Sequence, residues 1–270
     1  TYTYSLVEGA VLDLQGEPIS AYTGSFFLDR TGPFVTSHAP DTDTDAPLHY
    51  ITFTFNESID PASVDYDDVV RFTGPDGSEL AGNIYQFDSI GETLTVWFYS
   101  QYAVGLYTLE IGPDIDNVVG LAMDQDRDGN PGQSTDSYTA TVSVTRSPDL
   151  VVTSVTAPAS AKLSDYLLVS WSVENQGDLA TDSTWSDAVY LSDDDTFDGS
   201  DRYLTDFYAG NYTPLAADAT YTVADQELYI PAWEGAGDKF LLFVTDTYDD
   251  QGERDETNNV VAVPIHLEIP

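Results

Sequence analysis

Apolar residues in this chain recur with a period of two, in run after run, each run broken by Gly, Pro or Asp. Ile51, Phe53 and Phe55 alternate with Tyr50, Thr52 and Thr54, and the same alternation joins Leu94, Val96 and Phe98. It returns in Tyr138, Ala140, Val142 and Val144, and in Leu167, Val169, Trp171 and Val173. Successive side chains of a strand point to opposite faces, so each run reads as a strand with one packed side. No stretch carries a 3.6-residue period for more than a turn or two. The best short helix candidate is residues 60–63, where Pro61 suits a first helical turn. Short strands separated by polar turns predict an all-β fold of tandem antiparallel Ig-like β-sandwiches.

An internal repeat sets the boundaries. Tyr2, Thr3, Tyr4, Ser5 and Leu6, followed by Val11, Asp13 and Gly16, align with Tyr107, Thr108, Leu109, Glu110 and Ile111, followed by Ile115, Asp116 and Gly120. A second aromatic strand follows each copy, over residues 25–29 and 137–144. Residues 1–30 are therefore expected to be the terminal strands of a preceding Ig-like repeat. A middle domain spans residues 31–146, and a last domain spans residues 147–270. The hinge Arg146, Ser147, Pro148 and Asp149 between them is short and Pro-stiffened.

Charge narrows the partners. Eight Lys and Arg face 47 Asp and Glu, a formal net charge of -39. Nucleic-acid binding and insertion into an anionic membrane both need a basic footprint that this chain lacks. Of the acids, 35 are Asp and only 12 Glu, a bias toward turns and oxygen-ligand loops over helices. With no Cys there is no disulfide, thiolate nucleophile or Cys-held metal. No apolar run is long enough to span a bilayer, and Thr1 does not open a signal peptide, so a piece of a longer protein is expected.

The acids gather at three places. Asp124, Asp126 and Asp128, followed by Gly129, Asn130, Pro131 and Gly132, put carboxylates at i, i+2 and i+4 of a tight loop that can converge on a hard cation. The likeness to an EF-hand stops there, because its twelfth position is Thr135 and no helices flank it. The expectation is a different kind of Ca2+ loop, completed by Asp136 with Asp114 or Asp116 nearby. The alternative is a solvated acidic turn balanced by diffuse salt. Asp193, Asp194, Asp195, Asp198 and Asp201 follow the strand ending at Leu191. Asp246, Asp249, Asp250, Glu253, Asp255, Glu256, Asn258 and Asn259 precede the last strand. At one end of a sandwich these two loops can meet around Ca2+. Against that stands an acidic surface suited to high salt, with no defined site. Asp41, Asp43 and Asp45 read as a solvated loop. Trp171 reads as a core residue, and Trp97, Trp185 and Trp233 as packing residues or a sugar-stacking platform.

Two resemblances follow from particular residues. The stretch from Ile51 to Phe55, the run Glu57, Ser58, Ile59, Asp60 and Pro61, the segment Gly105, Leu106 and Tyr107, and Met123 through Gly132 resemble the Ig-like repeats of large bacterial surface and S-layer-associated proteins. The last domain is similar to CARDB, the cell-adhesion-related domain found in bacteria. That likeness runs through Pro148 to Val152, Val169, Ser170 and Trp171, Asn175, Gln176 and Gly177, Trp185, Asp187, Tyr190 and Leu191, and Asp255 to Asn259. Together they imply a non-enzymatic extracellular module of a cell surface: a Ca2+-stiffened rod, adhesin stalk or filament subunit, with strand addition between copies as a variant of the last. Its partners would be neighbouring domains, copies of itself, a surface glycan or a cell-surface protein. The alternative is a carbohydrate- or protein-binding accessory module. Hydrolase and phosphate-loop motifs are lacking, which argues against an enzyme.

Overall fold

The structure is a computed structural model describing residues 1–26 and 28–270; Phe27, inside the second expected N-terminal strand, lies outside the described residues. The chain opens with a two-stranded antiparallel sheet, β1 (Tyr2–Leu6) and β2 (Tyr22–Phe26). The second strand begins at Tyr22, earlier than expected, because Leu6 pairs with Tyr22 and Tyr2 with Phe26.

A first sandwich follows, built from β3 (Val35–Ala39), β4 (Thr44–Asp45), β5 (Leu48–Phe55), β6 (Val69–Thr73), β7 (Ile84–Ile90), β8 (Thr93–Gln101), β9 (Gly105–Ile111) and β10 (Tyr138–Arg146). One sheet runs β4-β10-β9-β6 and the other β3-β5-β8-β7. The alternating residues meet between them: Ile51, Phe53 and Phe55 on β5, Leu94, Val96 and Phe98 on β8, and Ala140, Val142 and Val144 on β10 are all buried. Phe72 and Phe98 cross the gap with ring centroids 4.6 Å apart. Full burial of each of the larger of these side chains, Ala140 excepted, contributes about 2 kcal/mol.

The second sandwich comprises β11 (Leu150–Thr156), β12 (Ser160–Lys162), β13 (Tyr166–Asn175), β14 (Ser186–Ser192), β15 (Arg202–Tyr208), β16 (Thr220–Tyr229), β17 (Gly237–Val244) and β18 (Val260–Glu268). Its sheets are β11-β13-β16 and β12-β18-β17-β14-β15. Trp171 is buried with Val169 and Val173, its ring 5.7 Å from that of Phe243. Two edge pairs are parallel, β4 on β10 and β12 on β18. Each arises where the chain leaves one sheet, touches the last strand of the other for two or three residues, and returns. Residues 60–63 form one turn instead of a helix. The Asp60 carboxylate accepts the Ala62 N–H at 3.0 Å and the Ser63 hydroxyl donates to the Asp60 carbonyl at 2.8 Å, taking up backbone groups that a continuing helix would use.

Two long connections position the acidic loops. The one between β9 and β10 folds back to the start of its sandwich: the Asp124 N–H donates to the Pro33 carbonyl at 3.0 Å, and Gln125 accepts from the Val35 N–H at 2.8 Å. The one between β17 and β18 does the same in the second sandwich, where the Arg254 N–H donates to the Pro148 carbonyl at 3.0 Å. Between β10 and β11 the linker backbone lies against Gly177, where a Cβ would overlap the Ser147 carbonyl.

Candidate metal centre

Asp246, Glu253 and Glu256 form the more buried of two carboxylate groups. One oxygen from each lies within 4.8 Å of the others. Asp246 and Glu253 are buried, and Glu256 turns its carboxylate inward from an otherwise exposed position, accepting the Glu253 N–H at 2.8 Å. Like charges at that spacing repel by about 3 kcal/mol per pair at an effective dielectric near 20. Burial first, and then the neighbouring carboxylates, raise Asp246 to about 6, Glu253 to about 9 and Glu256 to about 7. Asn259 and Asp249 line a cavity together with Asp246 and Glu256. Asn259 is only 6% exposed, its amide donates to Glu253 at 3.2 Å, and its Oδ1 has no partner. A buried, unpartnered acceptor beside three crowded carboxylates is an all-oxygen set suited to a hard divalent cation.

Local structure holds these groups in place. The Asp246 backbone adopts φ 47, and its carboxylate caps the following turn by accepting the Asp250 and Gln251 N–H groups at 3.0 and 2.9 Å. Glu253 accepts the Leu150 N–H, which ties the loop to the first residue of β11. Behind Asp246 lies Asp187, a core carboxylate. It accepts Trp171 Nε1 at 2.8 Å, the Tyr221 hydroxyl at 2.6 Å, the Thr245 hydroxyl at 2.8 Å and the Asp246 N–H. Burial outweighs these donors and raises its carboxyl above the ordinary range. Asp187 was not among the expected site residues, although its strand phase, in step with Val189 and Leu191, points it inward.

The second group is Asp124, Asp126 and Asp128, again with one oxygen each within 4.8 Å. Asp124 is buried and the other two are exposed. Asp136 is fully buried beside them, accepting the Asp126 N–H at 3.4 Å and the Gln133 N–H at 2.9 Å. Gly129, at φ 87, donates to Asp124 at 3.1 Å.

The remaining expected ligands lie elsewhere. Asp114 faces Asp68, and the Asp116 N–H donates to the Ser63 hydroxyl at 2.9 Å. In the turn after β14, Asp198 and Asp201 cap neighbouring N–H groups, Asp193 pairs with Lys239, and Asp195 is exposed. Asp255 caps Thr257, and the Asn258 amide donates to Asp149 at 2.9 Å. The tryptophans form no common platform among the described residues. Trp185 is buried and bonds the Tyr221 hydroxyl at 3.1 Å, Trp233 is exposed beneath Arg202, and Trp97 packs on Tyr50.

Comparison with known proteins matches this architecture. A family model described as a bacterial Ig-like domain matches residues 29–128, and one described as CARDB matches residues 147–263. No curated protein matches the chain in sequence. Among solved structures, the CARDB domain of a Pyrococcus furiosus protein in complex with di-metal ions is 18% identical, covering 46% of this chain and 94% of that one at a TM-score of 0.34. The N-terminal part of a bacterial S-layer protein is 13% identical over 87% of this chain and 44% of its own, with a TM-score of 0.31. A mutant β-glucosidase from Listeria innocua in complex with laminaribiose is 17% identical, covering 46% of this chain but 16% of that one, at 0.31. Likenesses of this size carry no argument about function. Bacterial Ig-like and CARDB domains are typical of cell-surface proteins and are typically non-enzymatic. Among the described residues no helix is long and apolar enough to cross a membrane. The chain carries a bacterial Ig-like domain and, after it, a CARDB domain, within whose matched residues the three-carboxylate group falls.

Proposed function

We propose that this chain is a non-enzymatic structural or adhesive segment of an extracellular surface protein, stiffened by Ca2+ at the loops that close each sandwich. The observation that carries this reading is the convergence of Asp246, Glu253 and Glu256, with the unpartnered Asn259 Oδ1 close by. Three carboxylates and a neutral carbonyl suit Ca2+, which takes six to eight oxygens in flexible geometry, better than Mg2+, which retains its water and demands an octahedron. The Asp124, Asp126 and Asp128 loop provides a second, more open site.

The β1–β2 hairpin belongs to this reading as the closing hairpin of another Ig-like unit. Its register repeats that of β9–β10: Tyr2 faces Phe26 as Tyr107 faces Val142, Tyr4 faces Gly24 as Leu109 faces Ala140, and Leu6 faces Tyr22 as Ile111 faces Tyr138. In the complete sandwich those β9–β10 positions lie on the core side. In β1–β2 the matching Tyr2, Tyr4, Leu6, Tyr22 and Phe26 are exposed.

The test is calorimetric. A ligand bound only to the native state stabilises by about 2.7 kcal/mol when its free concentration is a hundredfold above Kd. Millimolar Ca2+ is therefore expected to raise the unfolding temperature, chelator to reverse the rise, and NaCl of matched ionic strength to reproduce little of it. Glu253→Gln with Glu256→Gln should abolish the part belonging to the second sandwich. Equal responses to both salts would sink the reading.

A further inference from the structure

The loop between β17 and β18 contacts more than its own domain. Tyr102, between β8 and β9 of the first sandwich, packs on that sandwich's core and places its ring directly against Gly252. A Cβ at Gly252 would overlap this ring, so Gly is required here by close approach, its φ being ordinary. Gly252 adjoins Glu253, and the Tyr102 hydroxyl is pushed up by burial, with the charges of Asp182 and Glu256 adding to the shift. The same loop grips the linker. Glu253 accepts the Leu150 N–H, Arg254 pairs with Asp149 at 2.9 Å and donates its N–H to Pro148, and the Asn258 amide holds the other Asp149 oxygen. From the first sandwich Arg146 forks onto Asp45 at 2.8 and 2.6 Å, so the linker is fastened on both sides.

We propose that this loop is a cation-operated clamp on the joint between the two sandwiches, in which a divalent cation held by Asp246, Glu253, Glu256 and Asn259 fixes the backbone that seats Tyr102 and the linker. The clamp rests on the cation reading above. In the absence of a cation nothing draws the three carboxyl groups to a common point, and the segment bearing Gly252, Glu253 and Arg254 loosens the seat. With the cation bound, the segment is rigid and the angle between the sandwiches is set. A state with fewer accessible angles binds the cation at lower entropic cost, which makes the coupling reciprocal.

The chain contains no Cys, so Thr139→Cys and Ala224→Cys give one spin label on each sandwich of the intact protein. Ca2+ is expected to narrow the inter-label distance distribution about twofold relative to chelator. Calorimetric titration of the parent and of the Glu253→Gln, Glu256→Gln variant isolates binding at this loop. In Gly252→Val, and independently in Tyr102→Ala, the binding heat should remain and the narrowing disappear. Binding in the parent with an unchanged distribution, or narrowing that survives the loss of Tyr102, overturns the clamp and leaves the metal site standing. No heat assignable to the loop overturns the metal site itself, and the clamp with it.

Discussion

Asp187 shows what a single carboxylate does in a β-sandwich core. Trp171 and Tyr221 both donate to its Oδ2, Thr245 donates to its Oδ1, and the Asp246 N–H adds a fourth donor, so the group links the core tryptophan to the cation loop. Asn at this position keeps the shape but offers one acceptor oxygen where four donors converge, and brings two donors of its own. Asp187→Asn is expected to destabilise the second sandwich by about 3 kcal/mol, because a broken buried network leaves orphaned donors. Urea unfolding followed by the fluorescence of Trp171 and Trp185, both in that core, measures this, and an unchanged midpoint would refute it. Asp68 poses a different problem. It is buried, accepts the Asp65 N–H at 2.8 Å, and is raised to about 6 by burial, with Asp65, Asp114 and Asp67 adding repulsion. A carboxyl raised on folding holds its proton more tightly in the native state. Its stabilising contribution is complete below the unfolded value near 3.8 and is lost as pH rises through about 6. Asp68→Asn should remove this slope, of order 2 kcal/mol, from the first sandwich. Urea midpoints at pH 4 and pH 7 that differ equally in parent and variant would contradict the assignment.

At the scale of elements, the cation loop obeys the same linkage with a larger stake. Asp246, Glu253 and Glu256 are raised to about 6, 9 and 7, so without a cation the second sandwich loses stability as pH climbs from the ordinary carboxyl range through those values. A divalent cation competes with these protons, so the rise in melting temperature on adding Ca2+ should be large at pH 8 and small at pH 5; an equal rise at both would place the cation elsewhere. The β1–β2 hairpin carries the opposite expectation. Its apolar face packs on neither sandwich core, so Tyr4→Asp should leave both unfolding transitions within about 0.5 kcal/mol of the parent. Much of this was legible in the sequence. The alternation of Ile51, Phe53 and Phe55 gave both the strand and its buried face, and the spacing of Asp124, Asp126 and Asp128 gave a convergent loop. The parallel edges β4 and β12 were not legible, because segments of two or three residues carry no period. Nor does sequence separate neighbours in a loop without strand phase: Asn258 reaches Asp149 while Asn259 lines the cavity. The Tyr102 seat depends on two loops far apart in the chain, and nothing local to Gly252 announces it.

Over the whole molecule, charge is the quantity that local contacts cannot balance. Of eight Lys and Arg, five are paired, namely Arg71, Arg146, Arg202, Lys239 and Arg254, against 47 acids. The excess is spread over both sandwiches, with 24 acids and 4 cations in residues 147–270 and 19 and 3 in residues 31–146. Self-repulsion of this kind acts across many residues and favours any expanded state, so it is relieved by shortening the range of the field instead of by filling a site. The screening length falls from about 10 Å at 0.1 M salt to about 3 Å at 1 M. NaCl is therefore expected to stabilise both sandwiches gradually across that range, with no saturation point and equally in the parent and in the Glu253→Gln, Glu256→Gln variant. Ca2+ added at 0.1 M salt should instead saturate, and its effect on the second sandwich should vanish in that variant. The two responses separate because screening depends on total charge whereas chelation depends on where three particular oxygens lie. A parent chain whose NaCl curve plateaus early, or a variant that has lost its NaCl response, would mean that the apparent field effect is monovalent binding in the same cavity.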